Sequence, residues 1–151
     1  MSKSLSNILI HVVFSTKERR PFLRDIALRN ELYYYMGGIS KKLNCEHIIM
    51  GGIEDHVHIL ARQSKDISVS DWVKELKRIS TKWLKGKSEE YHLFQWQTGY
   101  GVFSVSQSQS KAVEKYIAGQ EEHHHKMTYQ DEFRILLKHN GIEWDERYIW
   151  G

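Results

Sequence analysis

The stretch from residue 45 to 62 constrains the fold more than any other part of the chain. Residues 45–53 (CEHIIMGGI) and His56–Arg62 (HVHILAR) are each apolar and β-branched enough for a strand, and only Glu54 and Asp55 separate them. A turn that tight joins antiparallel neighbours, so the two strands form a hairpin. On either side of the hairpin comes a helix, and beyond each helix a strand. Residues 7–14 (NILIHVVF) read as the first strand, ended by the basic loop Lys17-Glu18-Arg19-Arg20-Pro21, and 24–43 as a helix. Residues 68–87 read as a second helix, opened by Ser68-x-x-Asp71 in the manner of a capping box, and 99–106 (GYGVFSVS) alternate like a last strand. The order β-α-β-β-α-β is the ferredoxin-like split βαβ arrangement, an α+β fold with an antiparallel sheet and two helices on one face. Two further helices, over 109–122 and 128–140, follow it; the second is capped by Thr128-x-x-Asp131 and stopped at Gly141. With 151 residues, one proline, no internal repeat and no linker beyond the serine-glutamine alternation at 104–110, the chain is expected to form one domain over 1–151.

The hairpin also raises a question of chemistry. In a strand, alternate side chains share a face, so His56 and His58 point one way while Val57 and Ile59 point the other. A His-x-His pair is either two half-exposed polar residues on a sheet face or the start of a metal site. Two ligands are too few for the latter, so a third protein group must come from elsewhere on the same side of the sheet. The helix over 109–122 supplies candidates. Tyr116 and Gln120 are spaced i, i+4 and share a helix face, so that one can ligate while the other attacks. They also lie near one stripe with Ala112, Val113 and Ile117, which equally suits a core aromatic with its hydroxyl at the rim.

Charge is segregated along the chain. The whole carries +3, but residues 62–87 hold eight Lys and Arg against three Asp and Glu, a local balance of +5, whereas 120–151 hold four basic and seven acidic residues. On a helical wheel, Trp72, Val73, Leu76, Ile79, Trp83 and Leu84 fall within an arc of about 140°, and Lys74, Lys77, Arg78, Lys82 and Lys85 fall within an opposite arc of similar width. Such a basic face is either plainly solvated or a phosphate-tracking surface with salt-sensitive affinity for nucleic acid. A histidine pair, a Tyr-x-x-x-Gln helix and a segregated basic face are not ordinarily needed together for packing.

These residues carry a resemblance to a known family. His11-Val12-Val13-Phe14-Ser15-Thr16-Lys17, Asp55-His56-Val57-His58, Gly99-Tyr100-Gly101-Val102-Phe103-Ser104-Val105-Ser106 and the run from Tyr116 to His124 (YIAGQEEHH) resemble the HUH single-tyrosine transposases of the IS200/IS605-like insertion sequences, over nearly the whole chain. The resemblance implies that His56, His58 and Gln120 bind a divalent ion, Mg²⁺ or Mn²⁺, and that Tyr116 is the nucleophile. It implies cutting and rejoining of single-stranded DNA at hairpin-bearing element ends through a 5′-phosphotyrosine, a homodimer with sites assembled from two chains, and a prokaryotic cell. Because the covalent link conserves the free energy of the phosphodiester, no nucleotide cofactor is expected, and no G-x-x-x-x-G-K-[ST] loop is found.

Other residues admit less. Trp96, Tyr100 and Phe103 are candidates for base stacking, with core packing the expected role of at least two. The run His123-His124-His125 is expected in solvent near a helix C-terminus rather than on a metal. His11 either sits beside the site or packs. Cys45, the sole cysteine, reads as a reduced buried thiol. No apolar run approaches the roughly 18 residues of a membrane span and no signal peptide is recognised, so the chain is expected in the cytoplasm, on the nucleoid when bound to DNA. Two rivals remain: a non-catalytic or domesticated binder of hairpin nucleic acid, and a metal-dependent hydrolase that uses His56 and His58 without a covalent link.

Overall fold

Strand β1 (Leu9–Ser15) is apolar on both sides, and every one of its residues is buried in the computed structural model, which describes residues 3–151. A strand of that kind belongs in the middle of a sheet. It pairs antiparallel with β3 (His56–Arg62), from Leu9 opposite Arg62 to Ser15 opposite His56, and with β4 (Gly101–Val105), from Leu9 opposite Val105 to Val13 opposite Gly101. Strand β2 (His47–Ile53) pairs with the other edge of β3 through the tight turn at Glu54 and Asp55, which gives the order β2-β3-β1-β4. This is the four-stranded antiparallel ferredoxin-like sheet that the hairpin and its flanks predict.

Helices α1 (Ile26–Lys42) and α2 (Val69–Lys85) cover one face. Ile10, Val12 and Phe14 of β1 and Val57, Ile59 and Ala61 of β3 point into that layer, against Leu32, Met36, Trp72 and Leu76. The Ser68 hydroxyl accepts from the Asp71 amide, satisfying one of the orphan N–H groups at the start of α2. Two buried serines serve the indoles. Ser40 accepts from Trp72 Nε1 at 2.8 Å and Ser80 from Trp96 Nε1 at 2.9 Å, so neither tryptophan leaves a polar atom unpaired in the core. Cys45 is buried and free, and burial pushes its thiol pKa up.

The opposite face is not bare. Helices α3 (Ser110–Ala118) and α5 (Tyr129–His139) lie on it, where Val13 and Phe103 of the sheet meet Tyr129, Phe133 and Leu137. Two glycines allow the close approach. A Cβ at Gly51 would stand 2.5 Å from the Ile117 carbonyl oxygen of α3, and one at Gly101 would stand 2.6 Å from the Phe133 ring of α5. Predicted element ends move by two residues or fewer, with one exception. The helix expected over 109–122 breaks at Gly119, whose ψ of 15° is not helical, so Tyr116 sits on α3 and Gln120 opens a short α4 (Gln120–His123). Glycine is the poorest helix former after proline, and the break falls on it. An ion pair at 2.7 Å between Glu121 of α4 and the buried Arg29 of α1 ties the broken segment to the rest of the molecule.

Candidate active site

Because β3 turns Val57, Ile59 and Ala61 into the α1–α2 core, its alternate residues His56 and His58 face the α3–α5 side. Both are fully buried at 0% exposure, which removes the reading of two half-exposed polar residues. A buried imidazole must pair both ring nitrogens or lose the hydrogen bonds that water would give it. His56 Nδ1 meets Asp55 Oδ1 at 2.7 Å, and His58 Nδ1 meets Nε2 of His11, from the neighbouring β1, at 2.7 Å. His11 therefore lies beside the site.

The Nε2 atoms point the other way, into the space under α4 and α5. His56 Nε2 meets the Gln120 amide oxygen at 3.0 Å, so the break at Gly119 delivers Gln120, itself 1% exposed, onto the histidine pair. The half-buried Tyr116 brings its ring to within 5.7 Å of that of His58. His56, His58, Tyr116 and Gln120 thus come together from β3, α3 and α4.

At their centre stands a residue that sequence reasoning missed. Glu132 of α5 is 1% exposed and accepts from His58 Nε2 at 2.9 Å, from His124 Nε2 at 3.0 Å and from the Gln120 amide at 3.0 Å, and the Tyr116 hydroxyl donates a short hydrogen bond to it. His124 was missed as well. Of the three consecutive histidines, His125 is exposed as expected, whereas the His124 side chain is only 2% exposed and anchors Nδ1 on the Met127 carbonyl at 2.6 Å. A signal for Glu132 exists in the sequence. With Tyr129, Phe133 and Leu137 it occupies the inward stripe of α5, where a carboxylate is tolerated only if partners await it. A run of identical histidines carries no such periodic signal for His124.

The electrostatics follow from this packing. Burial alone would raise the Glu132 pKa, but hydrogen bonds from His124, His56 and His58 outweigh it and hold the carboxyl well below its usual range. Burial also opposes a charged His56, yet its hydrogen bonds to Asp55 and Glu132 win and raise it to about 9. His58 goes the other way, to about 4, because burial is only partly offset by Glu132. Burial, and then the Glu132 charge, push the Tyr116 phenol above its ordinary value, so at neutral pH it is a protonated donor.

The basic face of α2 lies on the far side of the sheet from this cluster. Lys74, Arg78, Lys82 and Lys85 are exposed, and Arg78 is shared with Glu75 at 2.6 Å. Lys77 differs. Its ammonium donates to the carbonyls of Gln97, Thr98 and Gly99 at 2.7 to 3.2 Å, and burial lowers its pKa to about 8, so it ties α2 to the approach of β4 instead of facing solvent. Lys74, Lys77 and Arg78 line a cleft of about 560 Å³ with Trp96 and Tyr100. Trp96 and Phe103 are buried core residues, whereas Tyr100 is half-exposed at the cleft.

Residues 4–120 match the family described as "Transposase IS200 like". The chain belongs to that family, the single-tyrosine HUH transposases that its motifs resemble. Among solved structures, a candidate transposase from Deinococcus radiodurans R1 is 23% identical with a TM-score of 0.61, over 80% of this chain and 98% of that one. A REP-associated tyrosine transposase bound to a REP hairpin is 14% identical with a TM-score of 0.56, over 79% of this chain and 72% of that one. Both share the fold. No curated protein of known function matches the chain. Among the described residues, no helix is long and apolar enough to cross a membrane.

Proposed function

We propose that this chain is a transposase that cuts and rejoins single-stranded DNA at hairpin-bearing ends, with Tyr116 as nucleophile and the whole of 1–151 acting as one catalytic domain. The observation that carries this reading is the meeting of Tyr116 and Gln120 with His56 and His58 in one buried cluster. His56, His58 and Gln120 offer two imidazole nitrogens and an amide oxygen, a donor set that suits Mn²⁺ and accommodates Mg²⁺. Such an ion, when bound, polarises the scissile phosphodiester as a Lewis acid.

The protein's own groups have distinct tasks. Asp55 fixes the ring of His56 and His11 that of His58, each through Nδ1, so that both Nε2 atoms turn to the side where the ion would bind. Tyr116 Oη attacks phosphorus, the bond to the 3′ oxygen breaks, and the phenolic proton ends on the departing 3′-hydroxyl. The DNA is left as a 5′-phosphotyrosine, and a new 3′-hydroxyl reverses the step on another strand. In the resting chain, Glu132 holds the Tyr116 proton, and its low basicity makes it a restraint on that hydroxyl and not its base. Tyr116 must part from Glu132 before it attacks. Beside it, a cleft of about 640 Å³ lined by His11, Phe103, Val113, Ile135 and Leu136 gives the 3′ side of the cut room to enter.

The hairpin partner is supported by the structural likeness to the hairpin-bound transposase and by the basic cleft on α2. Mg²⁺ or Mn²⁺ as metal, a homodimer, and a cytoplasmic site of action complete the proposal. The deciding experiment is covalent capture on an end-labelled single-stranded hairpin oligonucleotide. The wild-type chain is expected to form a denaturant-resistant adduct that Tyr116→Phe lacks; capture by the variant would remove the reading, and release of cleaved DNA without an adduct would favour the hydrolase. Exchange of the tyrosine helix between chains is tested with a heterodimer of a His56→Ala, His58→Ala chain and a Tyr116→Phe chain. Adduct on the histidine-mutant chain means exchange. No adduct from a verified, DNA-binding heterodimer means that each chain uses its own helix.

A further inference from the structure

His124 and Glu132 lie outside the segment that matches the family, yet they sit on the histidine pair. The Nε2 atoms of His56, His58 and His124 converge on one carboxylate oxygen, Glu132 Oε1, at 3.3, 2.9 and 3.0 Å. All four groups present their donor atoms within 4.8 Å of one another. In a tetrahedral site with bonds of about 2.1 Å, neighbouring donor atoms stand about 3.4 Å apart, which the three imidazole-to-carboxylate spacings already approach, while the wider pairs, within 4.8 Å, draw inward around an ion.

The backing of each ring points the same way. A ligating imidazole needs a bare Nε2, and its tautomer is fixed by what Nδ1–H donates to. Here the three Nδ1 atoms have the Asp55 carboxylate, His11 Nε2 and the Met127 carbonyl as partners, all at 2.6 to 2.7 Å. Three convergent, separately oriented imidazoles and a carboxylate form a nitrogen-rich set that favours a borderline transition-metal ion over Mg²⁺, which prefers oxygen.

We propose that His56, His58, His124 and Glu132 form a four-ligand centre for a divalent transition-metal ion of the Zn²⁺ class when α5 is docked. This deepens the metal assignment of the proposed function and rests on it for the shared histidines. Four protein ligands close the shell, leaving no position for a phosphate, and Glu132 at the same time engages the Tyr116 hydroxyl. The docked form is therefore a resting state. Withdrawal of α5 takes Glu132 away, frees Tyr116 and opens coordination positions on the side that Gln120 flanks.

The test uses the full chain, stripped with chelator and titrated with Zn²⁺ against a chromophoric competitor, with Co²⁺ as a spectroscopic probe. The wild type is expected to bind one Zn²⁺ per chain and to give the intense visible absorption of tetrahedral Co²⁺. His124→Ala and Glu132→Gln should each weaken Zn²⁺ by about 100-fold or more and abolish that absorption. Glu132→Gln keeps the side-chain volume, and circular dichroism confirms that it folds. If it does not fold, His124→Ala and the wild-type Co²⁺ spectrum decide. Unaltered Zn²⁺ affinity in His124→Ala, or a wild-type spectrum of six-coordinate Co²⁺, would overturn the centre. Covalent capture is scored separately, so its loss in Tyr116→Phe stands or falls independently of Zn²⁺ binding.

Discussion

The two faces of the sheet are built on different principles. The α1–α2 face is filled by Ile10, Val12, Phe14, Val57, Ile59, Trp72 and Leu76, and two buried serines there accept from tryptophan indoles. The α3–α5 face alternates hydrophobic anchors, Val13, Phe103 and Phe133, with His11, His56, His58, Gln120, Tyr116 and Glu132 bonded to one another. One face contributes stability by removing apolar area from water; the other holds a polar network whose members depend on each other. Substitutions on the first should change stability and spare chemistry, and substitutions on the second should do the reverse.

The sharpest test of that division is Tyr116→Phe, which removes one hydroxyl from the polar face. Capture should vanish completely while hairpin affinity and fold persist, and a variant that also failed to bind or fold would blur the distinction between the faces. On the other face, Trp72→Ala should cost about 3–5 kcal/mol in denaturant unfolding, because it empties a fully buried site and removes the indole N–H that the Ser40 hydroxyl accepts from. The capture rate per folded molecule should not change.

Acid should find the polar face first. His11, held at about 3, and His58, at about 4, refuse protons in the folded chain that the unfolded chain accepts near 6.5. Stability of the metal-free protein is then whole above pH 6.5 with respect to these two and declines below it, by about 1.4 kcal/mol per pH unit for each proton. His56, raised to about 9, is protonated in both states below 6.5 and does not offset the loss; its own contribution fades as pH rises from 6.5 through 9. Unfolding measured from pH 6.5 to 5 should show the decline, with His11→Gln reducing its slope; a flat profile would mean that the histidines are not buried neutral. The smallest effect belongs to the exposed basic surface. Lys74→Ala and Lys85→Ala should each weaken binding to all single strands alike and reduce the salt slope by about 0.7, and an unchanged slope would return that surface to plain solvent.

The same division explains what could be read in advance. Strand alternation and the amphipathic α2 arise from burial against an apolar layer, which periodicity reports directly, and the Ser68 and Thr128 caps are local hydrogen bonds legible in the sequence itself. His56, His58, Tyr116 and Gln120 were recognisable as a group through spacing and family resemblance. Glu132 was not, because a carboxylate in the acidic first turn of a helix looks solvated until its neighbours on the stripe are known to be buried. His124 depends on the chain path after Gly119, and helix periodicity does not extend across a break. Lys77 shared the wheel position of a surface lysine, but the three carbonyls that claim it come from 97–99, which no local pattern places beside α2.

The sheet also acts as a partition with a length attached. Lys74 stands above one of its faces and Tyr116 above the other, and β4 is the edge nearest the basic cleft. A single strand that touches both on one chain must travel around that edge, past a helix layer and a sheet about 10 Å apart on each side. The route is about 20 Å or more, and the shortest footprint is the number of nucleotides whose fully extended backbone covers it. Oligonucleotides below that length can reach the tyrosine or the lysines of one protomer, but not both.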